Sequence, residues 1–442
     1  MGRCTRQCVE RPMTNAGVST AYQLPSTKGA SHGLRTTTRP MRRPTNGGAL
    51  HRRCAFKPNL TVPPFRNLPR TQQPAQHDIQ TTNMPPELSM LAPVTHDRFE
   101  RLQRQYGSDL TLAVLVDDGA GRLPLPGSGE TLKRWQALAT VAAHDLSLVK
   151  LFEGHTDALA ILEELGGDAP SDGSLWATWC AEPPDARVVF EAHGNSANSP
   201  LASAASSLSA SSVAPPVVRL YGTKAWCSGA ASVTHAVVSG WNAAGDPCLA
   251  AVSLQQPSVT VTEQGWQAIG MAGSASVDVR FDGAHATQLG APGDYTRRVG
   301  FWHGGAGIAA CWYGGAWRIA QMVRELSQGS KEPHRLAHLG AIDVALTGAA
   351  AVLRASAVWI DTHPGADAQV IAMRARLAVE GAAEEVIRHA GRALGAGPLC
   401  RNARFARAMA DLPVFLRQSH AERDLASLGT LALDARAAPW ML

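Results

Sequence analysis

At 442 residues the chain exceeds the size at which a single hydrophobic core stops growing, so two or three packed units are expected. Its 45% hydrophobic and 17% charged residues are globular proportions. The net charge of +5 is lopsided: residues 1–90 hold 13 Lys and Arg against three acids, leaving 28 basic and 33 acidic residues elsewhere, an acidic body that argues against a nucleic-acid surface.

Residues 1–90 are rich in Pro, Thr, Gln, Asn and Arg and show no apolar periodicity, so they cannot bury enough area to offset their ordering entropy. A disordered basic tail is the expectation; a linker, an upstream extension before Met84 or Met90, and an Arg-rich transit peptide are the other readings. Residues 91–173 predict a helical domain. Phe99 to Gln105 and Thr131 to Phe152 carry apolar residues at helical spacing, with Leu132, Trp135, Leu138, Val141 and Ala142 on one stripe. A further helix is predicted over Thr156–Leu165, stopped by Gly166-Gly167.

Residues 174–292 change period. Short β-rich runs at 187–192, 217–221, 234–239, 248–254, 258–262 and 276–281 alternate with turn residues and predict an antiparallel barrel or sandwich. The Ser/Ala-rich stretch 195–216 reads as a loop. Over 293–442 the helical period returns, with long helices predicted at 310–326, 336–361, 367–394 and 404–428. Alanines at 349–351 and 355 allow close approach, as in a four-helix bundle. The fold class is thus α+β, mainly α: helical domain, β domain, C-terminal four-helix bundle.

The eight cysteines (4, 8, 54, 180, 227, 248, 311 and 400) form no Cys-x-x-Cys pair and no cluster with histidine. That spacing argues against structural zinc or a disulfide framework, and no metal is expected. No run of 18 apolar residues and no signal-type apolar core appear, so the expected location is cytoplasmic.

Four motifs in this order carry chemistry. Leu220-Tyr-Gly-Thr-Lys-Ala-Trp-Cys-Ser-Gly-Ala places an aromatic and a hydroxyl two residues apart at a strand end. Trp176-Ala-Thr-Trp-Cys-Ala-Glu-Pro-Pro precedes it. Gly270-Met-Ala-Gly-Ser-Ala-Ser leads into the last strand, and Arg392-Ala-Leu-Gly-Ala-Gly-Pro follows the third long helix. With the helix–β–helix layout, this set resembles the acyl-CoA dehydrogenase superfamily over roughly residues 95–435.

The resemblance implies a FAD-dependent homodimer or homotetramer acting on an acyl thioester or related small molecule, with no nucleic-acid or membrane partner. Trp226 would lie against the isoalloxazine and Ser228 would hydrogen-bond its polar edge. Thr178, Cys180 and Ala181 would face the pyrimidine ring, and Gly395 and Gly397 would let backbone approach the cofactor of a neighbouring subunit. Ala181 stands where the superfamily usually has threonine, and Pro184-Asp-Ala-Arg replaces its glycine-rich turn. Arg407 and Asp411 match an Arg-Asp pair, or form a plain i,i+4 ion pair.

The catalytic turn departs most. Where dehydrogenases carry the proton-abstracting glutamate, this chain has Ser419-His420-Ala-Glu422. Glu422 with Ser419 also reads as a capping box. His420 resembles the turn histidine of superfamily members that are flavin monooxygenases, where imidazole moves a proton near neutral pH. Those enzymes take reduced FMN as co-substrate from a reductase, and this is the alternative to FAD-dependent dehydrogenation. A third reading is a redox-silent scaffold, which the missing glutamate and the missing arginine near Leu326-Ser-Gln-Gly-Ser favour. His155 reads as a helix-start residue or a pocket wall, and His303 as a further pocket-wall candidate.

Overall fold

The computed structural model describes residues 96–192, 216–434 and 440, which all fall within one compact unit. The 1–90 tail and all but the last residue of the 195–216 loop lie outside the described residues. The N-terminal helices are α1 (His96–Tyr106), α2 (Leu112–Asp117), α3 (Thr131–His144) and α4 (Leu146–Leu165). α3 buries Trp135, Leu138 and Val141, the stripe its spacing predicts.

The predicted helix boundary near 152–156 is corrected. The chain breaks at Asp145, whose backbone is extended and whose carboxylate accepts the Leu148 amide at 2.8 Å. That cap starts α4, which then runs unbroken through Thr156. It stops at Gly166, at a left-handed φ of 69°. Apolar period alone could not find the break, because both flanks share one buried stripe.

The β region has seven strands: β1 (Trp176–Trp179), β2 (Val188–Ala192), β3 (Val217–Cys227), β4 (His235–Asn242), β5 (Pro247–Ser253), β6 (Val259–Val261) and β7 (Val277–Gln288). Pairings β4–β2–β3–β7–β5 and back to β4 close a barrel, which removes free edges. Most pairs are antiparallel, as expected, but β1 and β2 run parallel to β4. β1 itself lies outside the predicted β-rich runs; with two tryptophans and four residues it shows too little alternation to be recognised alone.

After α5 (Asp294–Arg297) and α6 (Gly300–Gly305) come α7 (Gly307–Leu326), α8 (Pro333–Thr362) and α9 (Gln369–Leu394), which pack on one another. The helix expected over 404–428 is two, α11 (Ala403–Leu416) and α12 (Glu422–Leu433), with the short α10 (Ala396–Arg401) before them. α11 lies on α7 and α9, and α12 on α9. The interruption falls at Ala421, whose φ of 47° no helix accommodates. α8 is long and apolar enough, by length and composition, to cross a membrane, yet it runs along α9.

One continuous core links these layers from Phe99 to Leu416. α3 meets α7 so closely that a Cβ on Gly314 would lie 2.2 Å from the Ala139 carbonyl oxygen, so only glycine permits the contact. α4 packs along β1 and so brings the N-terminal helices onto the barrel.

Candidate active site

The end of β3 is fixed from beneath. Lys224 is fully buried and donates to Glu182 at 2.5 Å, to the Ser239 carbonyl at 2.9 Å and to the Ser239 hydroxyl at 2.8 Å. Glu182 also accepts from Trp241 Nε1 at 3.1 Å and from the Ser239 hydroxyl. Burial raises the Glu182 pKa, but the donors from Lys224, Ser239 and Trp241 outweigh it and hold the carboxyl below its usual range. The pair therefore bonds the Glu-Pro motif directly to the Lys-Ala-Trp motif.

Immediately beyond Lys224 the β3–β7 register slips, a bulge that leaves Trp226 at φ 57°. Left-handed backbone is costly for a bulky residue, and here it leaves the indole 52% exposed at the strand end. Ser228 follows. Its hydroxyl meets Ser276 Oγ at 2.7 Å, which meets Ser274 Oγ at 2.9 Å, and Ser274 donates to the Met271 carbonyl at 2.9 Å. Trp179 Nε1 donates to the Ser228 carbonyl at 3.1 Å, tying β1 to this end of β3.

Ser228 and Thr178 line one narrow cleft of about 10 Å³ with Lys150, Leu151 and Gly154 of α4. Thr178 donates its hydroxyl to the Gly154 carbonyl at 2.9 Å. On the other side of Leu151 opens a groove of about 1940 Å³ between α1, α3, α7, α11 and the 269–273 turn. Trp226 lines neither space. Ala181 and Cys180 lie just past β1; the Cys180 thiol packs with Leu162 and Leu289 beside Tyr295, and burial pushes its pKa up to about 11.

Lys150 is a lining residue that the motif reading missed. Its ammonium meets Glu153 at 2.8 Å, and although burial opposes the charge, Glu153 raises its pKa. Asp157 continues the same face and is raised by burial despite nearby Arg298. The available signal was three charged residues at positions 150, 153 and 157, three and four apart on one face of α4 and set among apolar neighbours.

The remaining candidates sit elsewhere. Ser419 is buried, donating to Glu380 of α9 and accepting the Ala421 amide at 3.2 Å. The capping box with Glu422 therefore does not form, and α12 starts without a side-chain cap. His420 is 61% exposed, its Nδ1 3.4 Å from Asp424, and Glu422 is exposed beside it. None of the three lines the cleft or the groove. Gly395 adopts φ 64°, ψ −161°, a conformation reserved for glycine, and a Cβ at Gly395 or Gly397 would meet open space.

His155 is not a helix-start residue. It is buried mid-α4 and accepts the Trp176 amide at 3.1 Å, and burial holds its pKa down to about 4. His303 is buried in α6 with no hydrogen-bond partner for Nε2 among the described residues. Asp411 accepts the Met271 amide at 2.6 Å instead of pairing with Arg407.

A flavin ring needs a flat aromatic or apolar wall and a polar group at its edge. Trp226, Ser228 and Thr178 supply these donor types together. The cleft admits no ring, but the groove has the volume for a flavin and a small organic molecule side by side. Ser228 and Thr178 thus lie at the edge of the groove, across Leu151, while Trp226 stands outside it, so the donor types are present but the groove itself is walled by other residues.

The helix–barrel–helix arrangement is the acyl-CoA dehydrogenase fold. The chain is similar to the dibenzothiophene monooxygenase TdsC of a Paenibacillus species, solved with FMN and indole, at 18% identity and a TM-score of 0.63, over 77% of this chain and 97% of that one. It is similar to the methanesulfinate monooxygenase MsuC of Pseudomonas fluorescens (18%, TM-score 0.60, 79% and 94%). It is likewise similar to the nitrososynthase of Micromonospora carbonacea (16%, TM-score 0.59, 81% and 99%). No family model and no curated protein sequence matches the chain. At these identities the likeness establishes the fold.

Proposed function

We propose that the chain is a flavin-dependent oxidoreductase that uses reduced flavin and oxygen on a small organic molecule, a monooxygenase in preference to an acyl thioester dehydrogenase. The observation that carries this reading is the β3 end, where a strained bulge holds an exposed indole two residues from an anchored serine hydroxyl. The α11–α12 turn favours oxygen chemistry: it offers His420, held by Asp424, and its glutamate is exposed at a helix start. Bound and reduced, the flavin would supply the electrons for oxygen activation. Ser228 and Thr178, at the cleft beside the groove, would hold its polar edge; Trp226 as wall and His420 as proton carrier would have to meet it from outside the cleft and the groove, since neither lines them.

The FMN bound in the similar TdsC structure supports FMN over FAD. In a FAD enzyme, Gly395 and Gly397 would admit the distal part of the cofactor, with the Cys180 and Ala181 backbone at the pyrimidine. The finer organisation belongs to the same reading: domains 91–173, 174–292 and 293–442 behind the 1–90 tail, a C-terminal four-helix bundle, a cytoplasmic homo-oligomer, and a reductase as partner.

The test is spectroscopic. Purified protein should quench and bind FMN, and with a flavin reductase, NADH and oxygen it should convert an aromatic or sulfur-containing substrate to an oxygenated product. Anaerobic bleaching of bound flavin by a CoA thioester would favour the dehydrogenase instead. Failure to take up either flavin would leave the redox-silent scaffold standing.

A further inference from the structure

The groove carries a charge pattern that the flavin reading does not use. Its floor is apolar, with Phe99, Leu112, Leu146 and Met322, and its rim includes Trp317 and Ile269, the latter 90% exposed. Set into this apolar rim are Arg318 of α7 and, one turn apart on α11, Arg404 and Arg407.

The acids of the groove are engaged inside the chain. Asp411 accepts the Met271 amide, Asp145 caps α4, and Glu100 lies 3.5 Å from Arg104. Lys133 is likewise paired with Glu130. Arg404 and Arg407 have neither an ion pair within 4 Å nor a hydrogen bond among the described residues, although Arg407 acts on Asp411, one turn away on α11, lowering a pKa that burial raises, and Arg318 reaches Glu325 only at 3.9 Å. The arginines converge. His144 lines the same groove; burial lowers its pKa, Asp145 raises it, and Arg404 and Arg318 lower it again. Two guanidinium groups without a hydrogen-bonded counter-ion beside an apolar floor form a receptor for a charged head on an apolar body.

We propose that the groove binds an amphipathic organic anion, an aromatic or aliphatic body bearing a carboxylate, sulfonate or phosphate, with Arg404 and Arg407 holding the anionic head and Arg318 facing it. This names the substrate class for the reading above, and it rests on that reading only for what happens to the molecule once bound. The same chemistry has two sources, an anionic substrate or the phosphate of FMN.

The experiment compares anilinonaphthalene sulfonate with its neutral counterpart N-phenylnaphthylamine by fluorescence titration of the full chain, and FMN with riboflavin by flavin quenching. The sulfonate should bind at least roughly tenfold more tightly than the neutral probe, and the Arg404→Gln/Arg407→Gln double variant should erase that ratio while leaving the neutral affinity unchanged. Arg404→Lys/Arg407→Lys, which keeps the charge, should retain part of it and controls for folding. Loss of the FMN-over-riboflavin preference in the Gln variant assigns the site to the flavin phosphate; its retention assigns it to substrate. Equal affinity for both probes, or a Gln variant that still discriminates, overturns the inference. Anion selectivity without any flavin uptake would sink the flavin reading and leave this site intact.

Discussion

The ammonium group of Lys224 has no exposed surface, and its counter-charge is a single carboxylate reached across the barrel. Glu182→Gln leaves that cation buried and uncompensated, so a loss of about 3–5 kcal/mol in urea unfolding at neutral pH is expected, with a matching fall in flavin uptake. Glu182 is depressed in the fold, so its contribution is present above the ordinary value of 4.5 and disappears as pH falls through the lower folded value.

His155 gives a second pH signature at higher pH. It is neutral and buried, with a pKa of about 4 in the fold against 6.5 unfolded. Stability is therefore complete above 6.5 and drains away as pH drops from 6.5 toward 4, by roughly 3 kcal/mol in all. His155→Gln should flatten the pH dependence of urea midpoints across that window, and an unchanged slope would show that another group is responsible. At Trp226 the bulge predicts opposed effects. Trp226→Gly relieves left-handed strain, so thermal stability should hold or rise by up to about 1 kcal/mol while flavin affinity falls. A drop in stability of more than that would mean the indole serves packing.

Among the elements, the α3–α4 junction is the place where one side chain decides the architecture. Asp145 caps α4 and ends α3, and α4 in turn carries Lys150, Leu151 and Gly154 to the cleft. Asp145→Ala should cost about 1 kcal/mol by thermal melting, since the Leu148 amide loses its acceptor. The turn between α11 and α12 is a contrasting case. Its conformation is set by Ser419 reaching Glu380 and by Arg376 donating toward the Gln418 carbonyl at 3.4 Å, contacts from α9 that local sequence does not announce. This is why a Ser-x-x-Glu pattern that reads as a capping box is not one.

At the scale of the whole molecule, a homo-oligomer of the kind proposed would find a seam on α8. Its outward face presents Gly340, Val344, Gly348, Ala351, Ala355 and Val358, with Val344 73% exposed. Asp343 and Arg354 flank this stripe symmetrically about the Gly348–Ala349 step, and neither has an ion-pair partner among the described residues. An antiparallel pair of α8 helices crossing at that step about a two-fold axis would set each Asp343 against the partner's Arg354, the self-complementarity an isologous contact requires. Val344→Glu should lower the mass measured by light scattering after size exclusion. Asp343→Arg should do the same, and adding Arg354→Asp should restore the assembly. A monomeric wild-type chain would remove α8 from the argument.

The sequence by itself determined what depends on near neighbours along the chain. The stripe of α3, the Gly166 stop, the alternation of β3 and β7 and the apolar period of α7 to α9 are local patterns, and with four short motifs they were enough to point to the fold. Tertiary structure decided what depends on residues far apart. The closure of the barrel through the parallel β2–β4 and antiparallel β4–β5 pairs, the bond between Glu182 and Lys224, the convergence of Lys150 on Ser228 and Thr178, and the arginines of the groove have no signature in spacing. The physical reason is that side-chain period reports which face of an element is buried, whereas burial, counter-ions and cavity walls are set by whichever distant segment packs against that face.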